Sequence, residues 1–268
     1  MKTIKMLLGC LALLAFSLSL AAQTPAPTMY YFVDYMKSTP GHAGDYVKLE
    51  MEVWKTIHQA RIKNGTISAW YFLDVRMPSG AGETYDYVTV TAVSGWNGIE
   101  KLYNSWDAST FQSLSKEQMK RADSTEMFRT LVRTEIWAAE DAIFKNPPGS
   151  VPPKFWMFNF MDVAEGQWDA YLKMEKETYK PVHQEQIKSG HRAGWGLYSL
   201  AFPWGDEVKY EACAVDYFEN WSDISADDME ALWKKVHPGK NAGTTYTAMR
   251  ATRSLGRGEV RVLLDYAQ

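Results

Sequence analysis

Two glutamates and two histidines stand at matched places in this chain, and both side-chain types can move protons near neutral pH. Glu50, Trp54, His58 and Ile62 form a row spaced by four, and Glu175, Tyr179, His183 and Ile187 repeat it. Each row lies inside the pattern Tyr-x-Lys-x-Glu-x-Glu-x-(Trp/Tyr)-Lys-x-(Ile/Val)-His-Gln-x-x-Ile-Lys-x-Gly, which covers 46–65 and 171–190. On a helix advancing about 100° per residue, Leu49, Val53 and Ile57 make the apolar stripe and the Glu50 row follows its margin. A carboxylate beside an apolar stripe is costly unless it is paired or neutral. Two readings follow. Glu50 or Glu175 is a general acid or base with a raised pKa, with His58 or His183 as a polar partner across a cavity. Alternatively, each Glu bonds to Tyr, Arg or backbone of a facing sheet, and each His to a loop carbonyl. Glu50 and His58 do not pair directly, because eight residues separate them by roughly 12 Å along the axis. The chain has no HxxxH, HxH or Cys/His spacing, so no metal site is predicted.

Other residues qualify as contacts for a substrate. Asp34 and Asn159 occupy equivalent places inside otherwise apolar runs, so they are candidates to line a cavity. Trp70 and Trp195 follow the repeated row, and with Trp54 and Tyr179 they offer either an aromatic box or ordinary core packing. Cys213, in Glu-Ala-Cys-Ala-Val, reads as a packing residue rather than a nucleophile. Phosphate loop, nucleophile elbow and dinucleotide fingerprint are all absent.

The elements that must position these residues are written twice. Residues 30–96 align with 155–221 without a gap, and 18 of the 67 pairs are identical. Each half reads as a buried strand (30–36; 155–161), a helix (41–63; 166–188) and two strands (67–77 and 84–94; 192–202 and 208–218). Polar helical segments (98–127; 222–250) and a last strand (129–138; 252–264) complete it. Gly65 and Gly190 close the helices as left-handed caps. The last strands match with a one-residue slip, Arg133 and Glu135 against Arg257 and Glu259. Asn146–Pro153 holds four prolines and reads as a stiff extended linker between repeats at 28–145 and 154–268.

The order β-α-β-β-α-β is the split βαβ unit, whose sheet carries helices on one face. Tyr30, Phe32 and Met36 point to one face of the first strand, and Tyr31, Val33 and Tyr35 to the other. The face without helices is therefore apolar too and must be buried, with the second repeat as its partner. The predicted class is α+β, two tandem ferredoxin-like units forming a pseudo-symmetric barrel.

Residues 1–22 carry two lysines, an apolar run and small residues up to Ala22, the pattern of a bacterial signal peptide for a periplasmic or secreted protein. The run is short for a membrane span. Loss of Lys2 and Lys5 would take the formal charge from −3 to −5, which disfavours nucleic acid as a partner. One cysteine, Cys213, would remain.

In element order, duplication and helix pattern the chain resembles the dimeric α/β-barrel superfamily in its fused form. That resemblance implies a small-molecule pocket and, as the leading reading, a cofactor-independent monooxygenase-like or isomerase-like enzyme. The alternative is a non-catalytic binding or interaction module with the Glu/His rows structural. A third reading is a haem-binding or haem-degrading protein, where Asn159, Trp195 and His183 resemble the family's set. There the family's His lies on the second helix, whereas His183 lies on the first; no cofactor is predicted. Single-unit relatives dimerise to form the barrel, so a fused chain suffices as a monomer, and larger homo-oligomers are compatible with it.

Overall fold

The structure is a computed structural model, described for residues 27–104, 108–205, 207–225 and 227–268. The expected signal peptide lies outside the described residues.

The first half runs β1 (Met29–Ser38), α1 (Ala43–Leu49), a π-helical turn (Glu50–Trp54), α2 (Lys55–Lys63), β2 (Ala69–Met77) and β3 (Tyr87–Ser94). Four short helices follow, α3 (Gly95–Asn104), α4 (Ala108–Phe111), α5 (Lys116–Asp123) and α6 (Thr125–Phe128), and then β4 (Arg129–Phe144). The second half repeats this with β5 (Phe155–Val163), α7 (Trp168–Met174), a π-helical turn (Glu175–Tyr179), α8 (Lys180–Ser189), β6 (Gly194–Phe202) and β7 (Ala212–Phe218). It ends with a 3₁₀ turn (Trp221–Ser225), α9 (Met229–Val236), α10 (Ala242–Thr252) and β8 (Arg253–Ala267).

The eight strands close a barrel in the order β1-β3-β2-β8-β5-β7-β6-β4, every pair antiparallel. Each half supplies one four-stranded sheet, and closure comes from β2 pairing with β8 and β4 with β6. No open edge remains in the ring. Alternation along β1 divides its side chains as the sequence predicts. Tyr30, Phe32 and Met36 join the outer cluster with Tyr46, Trp70 and Phe72, while Val33 and Tyr35 join the inner cluster with Leu73, Trp156 and Phe160. Burial of a side chain such as Phe72 or Phe160 contributes about 1.5–3 kcal/mol. The last strands exceed the expected 129–138 and 252–264. Beyond Ala138, β4 continues to Phe144 because Asp141–Phe144 pair with Leu197–Gly194 of the other half.

The long helix of each half is not uniform. Glu50 and Glu175 each open a π-helical turn, which inserts extra backbone and rotates the residues that follow. Glu50 and His58, placed at the margin of the stripe by regular helical spacing, are both buried.

Candidate functional site

Inside the ring, the half of the barrel nearest the linker is hollow and the other half is plugged. An eight-stranded barrel has room for its own side chains or for one small ligand. Here a cavity of about 580 Å3 occupies the lumen, within the usual range for ligand sites. Small residues at the strand ends open it: Ala69 on β2, Ala92 on β3 and Ala193 before β6. Gly194 and Gly196 matter as well. A Cβ at Gly194 would strike the ring of Phe144, and one at Gly196 the ring of Tyr198, so both aromatics lie flat along the wall only over glycine.

The walls are aromatic, with phenols pointing inward. The hydroxyls of Tyr198 and Tyr217 are 2.8 Å apart, and the Tyr31 ring meets Tyr198 edge-on at 5.3 Å. Burial raises Tyr198 and Tyr217 well above the ordinary phenol range, and burial with Tyr31 nearby pushes Tyr71 up to about 12. These groups are therefore neutral hydroxyls near pH 7. Cys213 also faces the lumen, and burial raises its thiol pKa, which fits packing rather than nucleophilic chemistry. The proline linker arches over the open end: Trp156 Nε1 donates to Pro153 O at 2.7 Å, and the Gln268 amide donates to Ser150 O.

The plug is a polar network contributed symmetrically by both halves. Glu135 accepts from Arg133 Nε at 2.9 Å, Tyr35 at 2.6 Å, Trp137 Nε1 at 3.0 Å and Tyr210. Glu259 accepts from Arg257 Nε at 2.6 Å, from Arg261 Nε at 2.9 Å and Nη2 at 2.8 Å, and from Tyr85. Tyr85 and Tyr210 each reach the glutamate of the opposite half, so the plug also ties the repeats together. The one-residue slip between Arg133/Glu135 and Arg257/Glu259 is thus a matched pair of plug residues. Burial works against the charge on Arg261, but Glu259, Tyr35 and Tyr85 offset it and hold the guanidinium above its ordinary pKa. The Arg261 side chain is wholly buried and its Cζ lies 3.9 Å over the Phe158 ring.

None of the ten residues singled out from the sequence lines this cavity. Asp34 and Asn159, expected to line it, are on outward positions of β1 and β5. Asp34 accepts from Thr134, and Asn159 Nδ2 donates to Asp216 at 3.1 Å and to Ala214 O at 3.3 Å. The reason is parity: an even step from Tyr30 or Phe32 stays on the helix-covered face. His58 stacks on Trp70 with ring centres 5.0 Å apart, and His183 on Trp195 at 5.4 Å. Both pairs fill the interface between helix and sheet. Trp54 Nε1 donates to Thr125 at 3.1 Å, and Tyr179 packs against Trp233.

Glu50 and Glu175 do share a setting with one another. Glu50 is grouped with Tyr46, Arg129 and Asp34, and Glu175 with Arg253, Asp216 and Tyr171. Burial raises both carboxyls to about 7, against which Tyr46 and Arg129 act in one half and Arg253 in the other. Tyr46 is close enough to Glu50 to favour its ionised form, although its hydroxyl makes no aligned hydrogen bond. His58 is lowered to about 3 by burial and by Arg61, and His183 to about 4 by burial and Arg192. All four groups are therefore coupled to folding.

The residues that build the lumen, above all Tyr198, Tyr217, Trp137 and Arg261, were not singled out from the sequence. A signal existed for one of them: Arg261 interrupts the apolar run Val260–Leu264.

Comparison with solved structures places the architecture. A candidate monooxygenase from Fusobacterium nucleatum is similar at a TM-score of 0.57 and 7% identity, over 91% of this chain and 96% of that one. A candidate monooxygenase from Lactobacillus acidophilus is similar at a TM-score of 0.50 and 8% identity, over 90% and 96%. The fold is the fused dimeric α+β barrel. A heme-binding protein from Thermus thermophilus is less alike, with a TM-score of 0.47 at 10% identity over 90% of this chain and 95% of that one. No family model matches the chain, and no curated protein matches it by sequence. At such low identities the likeness concerns fold alone.

An imidazole-held haem does not fit the side chains present. No histidine faces the lumen among the described residues, and the rings of His58 and His183 are covered by tryptophan. Among the described residues no cluster of His, Cys, Asp or Glu has the makings of a metal site, and no helix is long and apolar enough to cross a membrane.

Proposed function

We propose that this protein is an exported small-molecule-binding barrel that holds one ring-sized ligand in its lumen. The observation that carries this reading is the 580 Å3 cavity with aromatic walls and a proline linker over its mouth. Side chains do not fill this space, although interiors otherwise pack to crystal-like density. The floor supports binding better than proton transfer. Each of the two inner carboxylates already accepts four hydrogen bonds, the capacity of a carboxylate, and the phenols stay protonated at neutral pH. Two similar structures carry the name of candidate monooxygenases, which adds oxygen insertion to the reactions worth assaying once a ligand is known.

Native mass spectrometry of protein purified from its own cells tests the reading. The expected result is a small organic adduct that leaves when the chain is unfolded. A bare polypeptide mass in every preparation, with no binding of naphthalene-sized probes, would overturn it.

A further inference from the structure

The two repeats place different residues at one matched position on the lumen wall. Trp137 of β4 answers Arg261 of β8 under the same slip that matches Arg133 to Arg257. Trp137 spends its single donor on Glu135. Arg261 spends Nε and Nη2 on Glu259, but its Nη1 has no hydrogen-bond partner. The side chain is fully buried and belongs to the wall of the cavity. A buried donor left unpaired is costly, the more so when it is charged. Its neighbours do not absorb it. Both carboxyl groups of the plug are saturated, the rings of Phe158, Tyr35 and Phe160 surround the guanidinium, and no acceptor meets Nη1 at hydrogen-bond geometry. Among the described residues of the cavity wall, the buried side-chain donor left without a partner is thus one that carries a positive charge.

We infer that the lumen ligand is an aromatic molecule carrying an acceptor oxygen, carboxylate or carbonyl, which docks on Arg261 Nη1 while its ring lies among Trp137, Phe158 and Tyr198. This rests on the reading of the lumen as the binding site. The asymmetry of the repeats gives the ligand one orientation. The cationic wall takes the oxygen, and the tryptophan wall of the other half takes an apolar edge. Guanidinium suits this task because it keeps its charge when buried and presents donors in a fixed plane.

Three probes of one ring size separate the outcomes: naphthalene-2-carboxylate, 2-acetylnaphthalene and 2-ethylnaphthalene. Each is titrated into the full chain and followed by quenching of the lumen tryptophans. The expected order puts either oxygen-bearing probe about tenfold or more tighter than 2-ethylnaphthalene, the size of one charge-assisted hydrogen bond. A preference for the carboxylate alone identifies an anionic ligand, and equal gains for both oxygen probes identify a carbonyl-type acceptor. In Arg261→Met and Arg261→Lys the ratio of affinities between the oxygen-bearing probes and 2-ethylnaphthalene should fall towards one. Equal affinities of all three probes for the wild type would overturn the inference and leave lumen binding intact, with no variant needed. Failure of all three to bind would count against both.

Discussion

Glu50 and Glu175 are buried carboxyls that fold best when protonated, and the sign of their effect on stability follows from that. Their folded pKa values are about 7, against 4.5 ordinarily. The unfolded chain loses these protons near pH 4.5 while the folded chain keeps them to about 7. Their stabilising contribution is therefore complete below 4.5 and is lost as the pH rises towards 7. The loss is of the order of 3 kcal/mol for each group. His58 and His183 act oppositely: with folded values of about 3 and 4, they favour the fold above pH 6.5 and cost stability as the pH falls through that value. The double variant Glu50→Gln/Glu175→Gln should be more stable than wild type near pH 8, with the gain vanishing near pH 4, as read by urea unfolding at both. A gain independent of pH would contradict this account. The sequence marked these four residues because an acid repeated beside an apolar stripe needs a cause. It did not show which way they face, since regular helical spacing cannot foresee a π-helical turn.

At the scale of elements, glycine in β6 governs the shape of the lumen wall. A Cβ on Gly196 would lie 2.5 Å from the Tyr198 hydroxyl, so that ring must swing away in Gly196→Ala. The bond between Tyr198 and Tyr217 is then lost, at a cost of about 0.5–1.5 kcal/mol. Tyr198→Phe should cost a similar amount, and the double variant little more than either alone, because both remove one interaction. Additive losses in a denaturant series would show that the glycine has another task. The helix and the first three strands of each half were legible in the sequence from periodicity and glycine caps. The far ends of β4 and β8 were not. Ala139-Glu140-Asp141 is poor strand sequence, and only pairing with the opposite half extends β4 there.

For the whole molecule, the consequence of closure is that neither half owns a complete set of partners. In isolation β2 would lose β8, β4 would lose β6, and Glu135 and Glu259 would each lose a tyrosine from the other half. The full chain should unfold in one cooperative transition seen alike by far-UV circular dichroism and tryptophan fluorescence. Residues 27–145 expressed alone should self-associate or remain unfolded in sedimentation experiments; a stable folded monomer of that half would contradict the shared barrel. This level was the most legible in the sequence, because a duplicated unit with an apolar uncovered sheet face requires its copy as a cover. The position of the cavity was less so: parity assigns a side chain to a face, but only closure shows which face becomes a lumen. The central claim is that ligand enters the lumen and not the layer between sheet and helices. Val215, 1% exposed and directed inward, and Asp34, directed outward, separate the two. The decisive measurement is a titration of naphthalene-2-carboxylate into wild type, Val215→Phe and Asp34→Asn. Val215→Phe should abolish binding while Asp34→Asn binds as wild type does; binding retained in Val215→Phe and lost in Asp34→Asn would contradict the claim.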